Sequence, residues 1–352
     1  MSTYNTAFTS DNIAGVSPQV LEAMARCNNG QADPYGRDEC SKQAEQMLSD
    51  VFEKDVSVFF VTTGTAANCL SLSALTPPWG AVLCHHDGHI NHDECGAPEF
   101  FNSGARVLTL DGADSKIDPE ALKWGVRHRV GDMHSSQPAS VSLTQATETG
   151  TIYSVDEILR IGAITKNSGL RMHMDGARFA NALVALGCSP AEMTWRCGVD
   201  MLSFGATKNG TMSAEAIIVF DKTLAHEMAF RVKRSGQLGS KMRFMAAQML
   251  GYLENDLWLK NARQANAMAA MLKNGLEKIS QISIIGSPQA NIIFCNMPQY
   301  CIDRLLEQGF SFYHDRWEPG VVRFVTSFAT TEQDIQHFLS AVHQAASFAK
   351  AV

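Results

Sequence analysis

Several features are missing from this sequence, and each absence excludes a class of protein. No apolar run approaches the ~18 residues that span a bilayer, and residues 1–12 lack the charged and apolar segments of a secretory signal. The 29 Lys and Arg are outnumbered by 36 Asp and Glu, so the basic excess that binds nucleic acid is absent. The nine cysteines form no Cys-x-x-Cys pair and no disulfide framework. We therefore expect a cytoplasmic protein with a small-molecule partner and no nucleic-acid or membrane partner.

Short apolar runs alternate with longer helix-like stretches through the first two thirds of the 352 residues. This alternation predicts an α/β fold with a mostly parallel sheet sandwiched by helices. The predicted strands are 56–61, 81–84, 106–110, 140–144, 170–174 and 199–204. Only about ten residues separate the strand 199–204 from the next apolar run, 216–220. This link is too short for a helical crossover. That strand should therefore run antiparallel.

After Leu224 the pattern becomes helical, and residues 242–276 are rich in Ala, Met and Leu at helical spacing, which predicts one connecting helix. Beyond it, the sequence predicts a small α+β domain. Its strands are 282–285, 290–295 and 321–326, and its helices are 300–308 and 332–349. We expect an N-terminal segment, 1–30, near the functional site, a large domain, 31–253, and a smaller C-terminal domain, 254–352.

Two motifs follow predicted strands and can bind a ligand. In Thr-Thr-Gly-Thr-Ala-Ala-Asn, residues 62–68, Gly64 allows close approach of the backbone to an anion, and Thr65 and the helix amides can donate to phosphate. A plain capped helix start is the alternative. In the second motif, 173–178, His173 and Asp175 share one face at a strand end, where both can reach a ligand. The alternative is an ion pair between Asp175 and Arg178.

A third motif, residues 203–210, carries Lys208 in a turn rich in Gly, Ser and Thr. A lysine there can lose its solvation and form a Schiff base, although a solvated loop lysine is the alternative. Pyridoxal phosphate requires a phosphate cup, a carboxylate on its ring nitrogen and a lysine on its aldehyde. One cofactor therefore accounts for all three motifs.

With these motifs, the sequence resembles the L-threonine aldolases, which are pyridoxal-phosphate enzymes of the aspartate-aminotransferase fold (fold type I), most closely the bacterial low-specificity kind. The resemblance covers nearly the whole chain. It rests on FTSDN at 8–12, YGRD at 35–38, TGTAAN at 63–68, DECGAPE at 93–99, HMDGAR at 173–178, SFGATKN at 203–209 and VRFVT at 322–326.

The resemblance implies the cofactor-binding roles. Lys208 would bind the cofactor aldehyde, Asp175 would pair with the pyridine nitrogen, and Arg178 would contact the ring hydroxyl. Gly64 and Thr65 would bind the phosphate.

His89 falls where the family has a histidine over the pyridine ring. Its neighbourhood, residues 85–94, is also rich in imidazoles and carboxylates of the kind that bind zinc. No second ligand set with recognisable spacing occurs elsewhere, so we predict no metal. For His92 taken alone, we predict a structural role with a hydrogen-bonded side chain and not a catalytic role.

The resemblance also implies substrate and subunit contacts. Arg323 would bind the substrate α-carboxylate together with Ser10, a task that suits a planar bidentate donor. Tyr35 would reach the neighbouring subunit's pocket in a homodimer or homotetramer with shared active sites. Lys241, rather than Arg243, would reach the cofactor phosphate, with a solvated basic face as the alternative.

The turn 146–150 departs from the family, because Glu148 stands where many relatives carry a histidine. Either Glu148 or His134 would then recognise the substrate β-hydroxyl. The base that removes the hydroxyl proton is left open among His89, His92, Glu148 and an ordered water.

The predicted reaction is retro-aldol cleavage of L-threonine, L-allo-threonine and related β-hydroxy-α-amino acids such as phenylserine to glycine and an aldehyde. Two alternatives stay open. A β-eliminating lyase or a transaminase would use the same scaffold and cofactor. A non-catalytic metal-binding protein would use the histidine cluster instead.

Overall fold

A computed structural model describes residues 5–347 and has a seven-stranded sheet at its centre. The strands are β1 (Ser57–Val61), β2 (Gly80–His85), β3 (Arg106–Leu110), β4 (Gln137–Thr144), β5 (Arg171–Gly176), β6 (Met201–Phe204) and β7 (Glu215–Val219). Their order is β1-β7-β6-β5-β4-β2-β3. Strands β2 to β6 pair in parallel, and β7 is antiparallel to β6 and β1. The predicted sheet and its antiparallel strand are both confirmed.

Helices cover both faces of this sheet, and the last two helices of the described chain lie beside a second, smaller sheet. They are α1 (Pro18–Cys27), α2 (Glu39–Val51), α3 (Gly64–Leu75), α4 (His89–His92), α5 (Ala97–Phe101), α6 (Pro119–Gly125), α7 (Val155–Asn167), α8 (Phe179–Leu186), α9 (Pro190–Met193), α10 (Ala225–Arg234), α11 (Arg243–Leu253), α12 (Leu257–Leu276), α13 (Gln299–Glu307) and α14 (Glu332–Ser347). Neighbours in β6 show the two faces, because Leu202 packs in the core with α7 and α8 while Met201 packs with α3 and α10. The alternation of strand side chains therefore builds two cores.

The single helix predicted over 242–276 is wrong, because two helices, α11 and α12, occupy this stretch. Asn255 and Asp256 lie between them with φ of 55° and 57°. Asparagine and aspartate enter this left-handed region more readily than most residues, so the pair can break a helix without glycine or proline.

A second sheet has three antiparallel strands, in the order β10-β9-β8. They are β8 (Ser283–Ile285), β9 (Ile292–Asn296) and β10 (Val321–Val325), with α13 and α14 alongside, and they match the predicted strands and helices. The last two residues of the predicted helix 332–349 lie outside the described residues.

The N-terminal segment joins this second sheet. The Phe8 amide donates to the carbonyl of Ser311 at 2.7 Å, and the Phe8 carbonyl accepts from the amide of Val325 at 2.9 Å. The Phe8 ring packs against Phe324 and Phe338 in an apolar cluster. Residues from both ends of the described chain therefore build one core.

Helix α12 contributes to two separate cores. Leu257 and Trp258 near its start pack in the core beside the seven-stranded sheet, whereas Leu272 and Leu276 near its end pack beside the smaller sheet. The division into segments 1–30, 31–253 and 254–352 stays a prediction. In the part of the chain that the structure describes, no helix combines the length and the apolar character needed to cross a bilayer.

Candidate active site

A cleft of about 290 Å³ opens at the carboxyl ends of β1, β5 and β6. Because β1 and β6 both pair with β7 in the antiparallel sense, they point the same way as β5, and their ends meet at one edge of the sheet. Ligands bind at this edge in open α/β sheets. The cleft is lined by predicted residues from several elements, namely Gly64, Thr65, His89, Asp175 and Lys208. The structure therefore brings the three motifs together.

The start of α3 forms one end of the cleft. Thr63 caps this helix, and its hydroxyl accepts from the amide of Ala66 at 3.1 Å. The first amides of a helix have no intrahelical partner, so Gly64 and Thr65 expose the positive end of the α3 dipole to the cleft. The Thr62 amide and hydroxyl both donate to Gln237 Oε1, at 2.9 and 3.0 Å, which fixes the residue before the cap.

Asp175 forms the buried acidic floor of the cleft at the end of β5. Its Oδ1 accepts from the amide of Ala177 at 3.0 Å, and its Oδ2 accepts from Asn68 Nδ2 at 2.8 Å. The alternative ion pair with Arg178 is not formed within residues 5–347, because Arg178 is paired elsewhere. Asp175 is thus held by neutral donors and faces the cleft.

Arg178 makes a buried bidentate pair with Asp11, a residue for which no role was predicted. The distances are 2.8 Å from Nε to Oδ2 and 2.9 Å from Nη2 to Oδ1. Asn291 Nδ2 donates to the same carboxylate at 3.0 Å. Burial alone would raise the pKa of Asp11, but Arg178 and Lys208 hold it below its ordinary value. Asp11 belongs to the FTSDN motif at 8–12, so this motif could have indicated that Asp11 has a role.

The expectation that His173 reaches a ligand is wrong. His173 does share a strand face with Asp175, but it lies two residues deeper and is fully buried. Its ring nitrogens contact Ser142 Oγ at 2.9 Å and Ser203 Oγ at 3.0 Å. Burial lowers the pKa of His173 to about 4, so the ring is neutral near pH 7.

Lys208 lies in the cleft on a turn that is anchored on both sides. Ahead of it, the amide of Ala206 donates to Glu215 Oε2 at 2.6 Å. Behind it, Asn209 Nδ2 donates to the hydroxyl of Tyr252 at 2.7 Å. At Gly205 a Cβ atom would lie 2.5 Å from the carbonyl oxygen of Ala177, so only glycine brings the lysine turn this close to the β5 turn.

His89 lies at the cleft with its Nδ1 2.8 Å from Glu94 Oε1. Asn68 Nδ2 donates to the same Glu94 oxygen at 2.9 Å and also binds Asp175. Burial would lower the pKa of His89, but the hydrogen bond to Glu94 and the nearby charges of Asp175 and Glu148 raise it. Asn68 and Glu94 lie in the TGTAAN and DECGAPE motifs, yet no role was predicted for either residue.

Glu148 carries a carboxyl group that interacts with the charges of the cleft. Burial raises the pKa of Glu148 above its ordinary value, although Arg178, His89 and Lys208 oppose that rise. Glu148 is not among the residues that line the cleft, and its role toward the substrate stays a prediction.

Arg323, on β10, and Ser10 are not among the residues that line the cleft, although Ser10 contacts one that is. Arg323 Nη2 donates to the carbonyl of Thr9 at 3.2 Å, and its guanidinium lies 4.8 Å from the ring centre of Tyr313. Burial lowers the pKa of Arg323, and the charge of Arg178 adds to this effect. Ser10 Oγ accepts from the amide of Asn12, a cleft residue, at 3.1 Å.

Seven predicted site residues are not among those that line the cleft within one chain. Ser10, Arg178, Glu148 and Arg323 interact with groups around it, and the other three are His134, Lys241 and Tyr35. His134 is exposed in the loop before β4, at the amino end of that strand, whereas the cleft lies at the carboxyl end. Lys241 is exposed, and the residues lining the cleft do not include it. Tyr35 is 47% exposed, and its amide donates to the carbonyl of Ser240, next to Lys241.

The histidine cluster is already hydrogen-bonded. Donor atoms of His85, His86 and Asp87 lie within 4.8 Å of one another. However, His85 Nε2 contacts the carbonyl of Gly112 at 3.1 Å, and its Nδ1 accepts from the amide of Asp87. Asp87 also accepts from Ser115 Oγ at 2.6 Å. The contacts of His85 and Asp87 therefore account for this cluster without a metal ion.

Comparisons with known proteins agree with the geometry of the cleft. Residues 7–298 match the family model of the beta-eliminating lyases. The chain is 42% identical over 330 residues to a low specificity L-threonine aldolase of Pseudomonas aeruginosa, covering 94% of this chain and 95% of that protein. A second low specificity L-threonine aldolase, from a Pseudomonas species, is 40% identical and covers 96% of both chains.

The structural comparison gives the same result. The threonine aldolase of Leishmania major superimposes with a TM-score of 0.91 and 29% identity, over 97% of this chain and 100% of that chain. The alternative of a non-catalytic metal-binding protein is therefore wrong, and the protein is a lyase. The chain belongs to the beta-eliminating lyases, a family of pyridoxal-phosphate enzymes, and within it to the group of the low-specificity L-threonine aldolases.

Proposed function

We propose that this protein binds pyridoxal 5'-phosphate and cleaves L-threonine, L-allo-threonine and related β-hydroxy-α-amino acids to glycine and an aldehyde. The observation that carries the proposal is the convergence of Lys208, Asp175 and the start of α3 on one cleft. These are an amine, a buried carboxylate and an anion-binding helix end. The curated relatives that share 40–42% of the sequence carry this activity in their names.

The donors in the cleft fit this cofactor. The amides of Gly64 and Thr65 would hold the phosphate, Asp175 would pair with the ring nitrogen, and Lys208 would bind the aldehyde. Arg178, whose guanidinium is held by two hydrogen bonds to Asp11, would contact the ring hydroxyl. The cofactor, when bound, accepts the electron pair of the bond that breaks at Cα.

The chain's own residues would orient the substrate and take up its proton. Arg323 and Ser10 would bind the α-carboxylate, and this contact would set the torsion of the Cα–Cβ bond. Glu148 and His89 are the candidate acceptors for the β-hydroxyl proton. The raised pKa of Glu148 makes its carboxylate a stronger base than an exposed one.

The first test is substitution of the lysine. We expect Lys208→Ala to abolish release of aldehyde from L-threonine, measured by coupled reduction of the aldehyde. Lys42→Ala is the matched control, because Lys42 is an exposed residue on α2. Substantial aldehyde release by Lys208→Ala would contradict the assignment.

A second candidate function is supported by the family match, whose model is that of the beta-eliminating lyases. Such an enzyme would release ammonia and the 2-oxo acid of its substrate, which is 2-oxobutyrate for threonine, and a transaminase would form a new amino acid. Incubation with threonine, allo-threonine and phenylserine isomers, followed by identification of all products, distinguishes these reactions from aldol cleavage.

We also propose a homodimer or homotetramer with shared active sites as the working assembly. Tyr35 lies outside the cleft of its own chain, is 47% exposed, and adopts a positive φ of 60° that holds it in one turn. Lys233 Nζ lies 5.1 Å from the centre of its ring. The role of Lys241 toward a phosphate and the cytoplasmic location stay predictions.

A further inference from the structure

A continuous set of buried hydrogen bonds joins His89 to the floor of the cleft. It runs from His89 Nδ1 to Glu94 Oε1 at 2.8 Å, from Asn68 Nδ2 to the same oxygen at 2.9 Å, and from Asn68 Nδ2 to Asp175 Oδ2 at 2.8 Å. The residues come from α4, the loop before α5, α3 and β5. The proposed roles of His89 and Asp175 explain the ends of this set but not its middle.

Asn68 fixes the position of Glu94 relative to Asp175. Its amide nitrogen carries two hydrogens, and the structure gives one acceptor for each. Two carboxylates that faced each other directly would repel, whereas a neutral amide that donates to both can hold them close together. Glu94 Oε1 is therefore held by Asn68 as well as by His89.

Glu94 has no other strong partner within the described residues. Its side chain is fully buried, and its second oxygen, Oε2, meets only the weak donor Sγ of Cys69, at 3.7 Å. A buried carboxylate is stabilised by a cationic partner and by hydrogen-bond donors. His89 supplies both in its protonated form, while its own side chain stays 32% exposed toward the cleft.

We propose that Glu94 is a positioning residue for the active site, which fixes the His89 ring with Nδ1 protonated and leaves Nε2 as the nitrogen available to the cleft. A carboxylate on one ring nitrogen sets both the tautomer and the orientation of a histidine. The catalytic consequence rests on the proposed function. The tautomer and orientation of the His89 ring do not rest on the proposed function, because they can be measured without turnover.

The contact with Glu94 acts on a ring that faces three acidic groups. They are Glu94, Asp175 and Glu148, and all three raise the pKa of His89, whereas burial lowers it. Glu94 is the one that makes a hydrogen bond to the ring. Its removal should therefore lower the pKa of His89 and allow the ring to rotate.

The test is a histidine titration by NMR on the cofactor-free and the cofactor-loaded protein. His89→Gln identifies the His89 signal. We expect Glu94→Gln to lower the pKa of His89 by about 1 or more, since an opposite charge at hydrogen-bond distance has an effect of this size. Glu99→Gln is the matched control, because Glu99 lies in the same segment but makes no hydrogen bond to His89, and it should leave the His89 titration unchanged.

Glu94→Asp keeps the charge and serves as the second variant if Glu94→Gln does not fold. It retracts the carboxylate by one methylene, so it should produce a smaller fall in the pKa of His89. An unchanged His89 titration in a folded Glu94 variant overturns the inference.

Kinetics separate this inference from the proposed function. If the protein cleaves threonine, the pH dependence of kcat/KM should move in Glu94→Gln in the same direction as the His89 titration. A shifted titration in a protein that releases no aldehyde would refute the proposed function and leave the positioning role intact.

Discussion

Asp11 and Arg178 form a charge pair that is almost completely removed from water. Loss of one partner leaves the other charge buried without compensation, so we expect Asp11→Ala to lower the free energy of unfolding by about 3–5 kcal/mol. Denaturant unfolding measures this change. Arg26→Ala, which breaks the exposed pair between Arg26 and Glu254, is the control and should cost less than about 1 kcal/mol.

This pair also predicts a direction for the pH dependence of stability. The pKa of Asp11 is lower in the folded chain than its ordinary value of 3.8, so its contribution is present above pH 3.8 and is lost as the pH falls toward the folded value. Equal acid sensitivity of the native protein and Asp11→Ala would contradict this assignment.

His173 makes the next prediction, in a different pH range. Its pKa falls from the ordinary 6.5 to about 4 on folding, because burial disfavours the charged ring. Below pH 6.5 His173 is protonated in the unfolded chain but stays neutral in the folded chain. The free energy of unfolding therefore falls by about 3 kcal/mol between pH 6.5 and about 4. His173→Asn should lack this component when the unfolding free energies are compared across that range, and parallel curves would refute the prediction.

At the residue scale, the sequence predicted residues that line the cleft better than residues that support them. Lys208, Asp175 and Gly64 were found because each follows a strand end in a recognisable motif. Asp11 and Asn68 were missed, since each acts on a partner more than 100 positions away, Arg178 and Asp175 respectively. Residue type and local spacing carry no information about such contacts.

At the scale of elements, a glycine allows helices α1 and α11 to pack close together. At Gly251 on α11, a Cβ atom would lie 2.8 Å from the Cβ of Ala23 and 3.0 Å from the Cα of Val20, both on α1. We expect Gly251→Ala to push these helices apart and to cost about 1–3 kcal/mol in unfolding free energy. Gly15→Ala is the control, because the described structure places no atom within 4 Å of that added Cβ. Similar stability of both variants would refute the close packing.

Strands were easier to predict than the break between helices. The buried strands of a parallel sheet are nearly continuous apolar runs, and β2 and β7 are buried along their whole length. The break between α11 and α12 depends on two left-handed residues, Asn255 and Asp256, with helical sequence on both sides. Composition over a long window does not detect a change of direction made by two residues.

At the scale of the whole molecule, shared active sites predict complementation between inactive subunits. Lys208→Ala removes the amine of one site, and Tyr35→Ala removes the residue proposed to enter the neighbouring site. A mixed dimer then contains one site with both defects and one with neither. We expect mixtures of the two unfolded and refolded variants to recover activity toward about a quarter of the native level, half of the dimers being mixed with one intact site.

The controls for this experiment are each variant refolded alone. The activity of each variant refolded alone should stay well below the activity of the mixture. If the mixture shows only the average of the two separate activities, Tyr35 acts within its own chain or has no role in the site.

The order of synthesis gives the aromatic cluster around Phe8 a further consequence. Phe8 leaves the ribosome more than three hundred positions ahead of Phe324 and Phe338. Contacts between such distant positions form late in folding, because a long loop must close first. During translation the Phe8 ring therefore lacks these buried contacts until Phe324 and Phe338 have been synthesised.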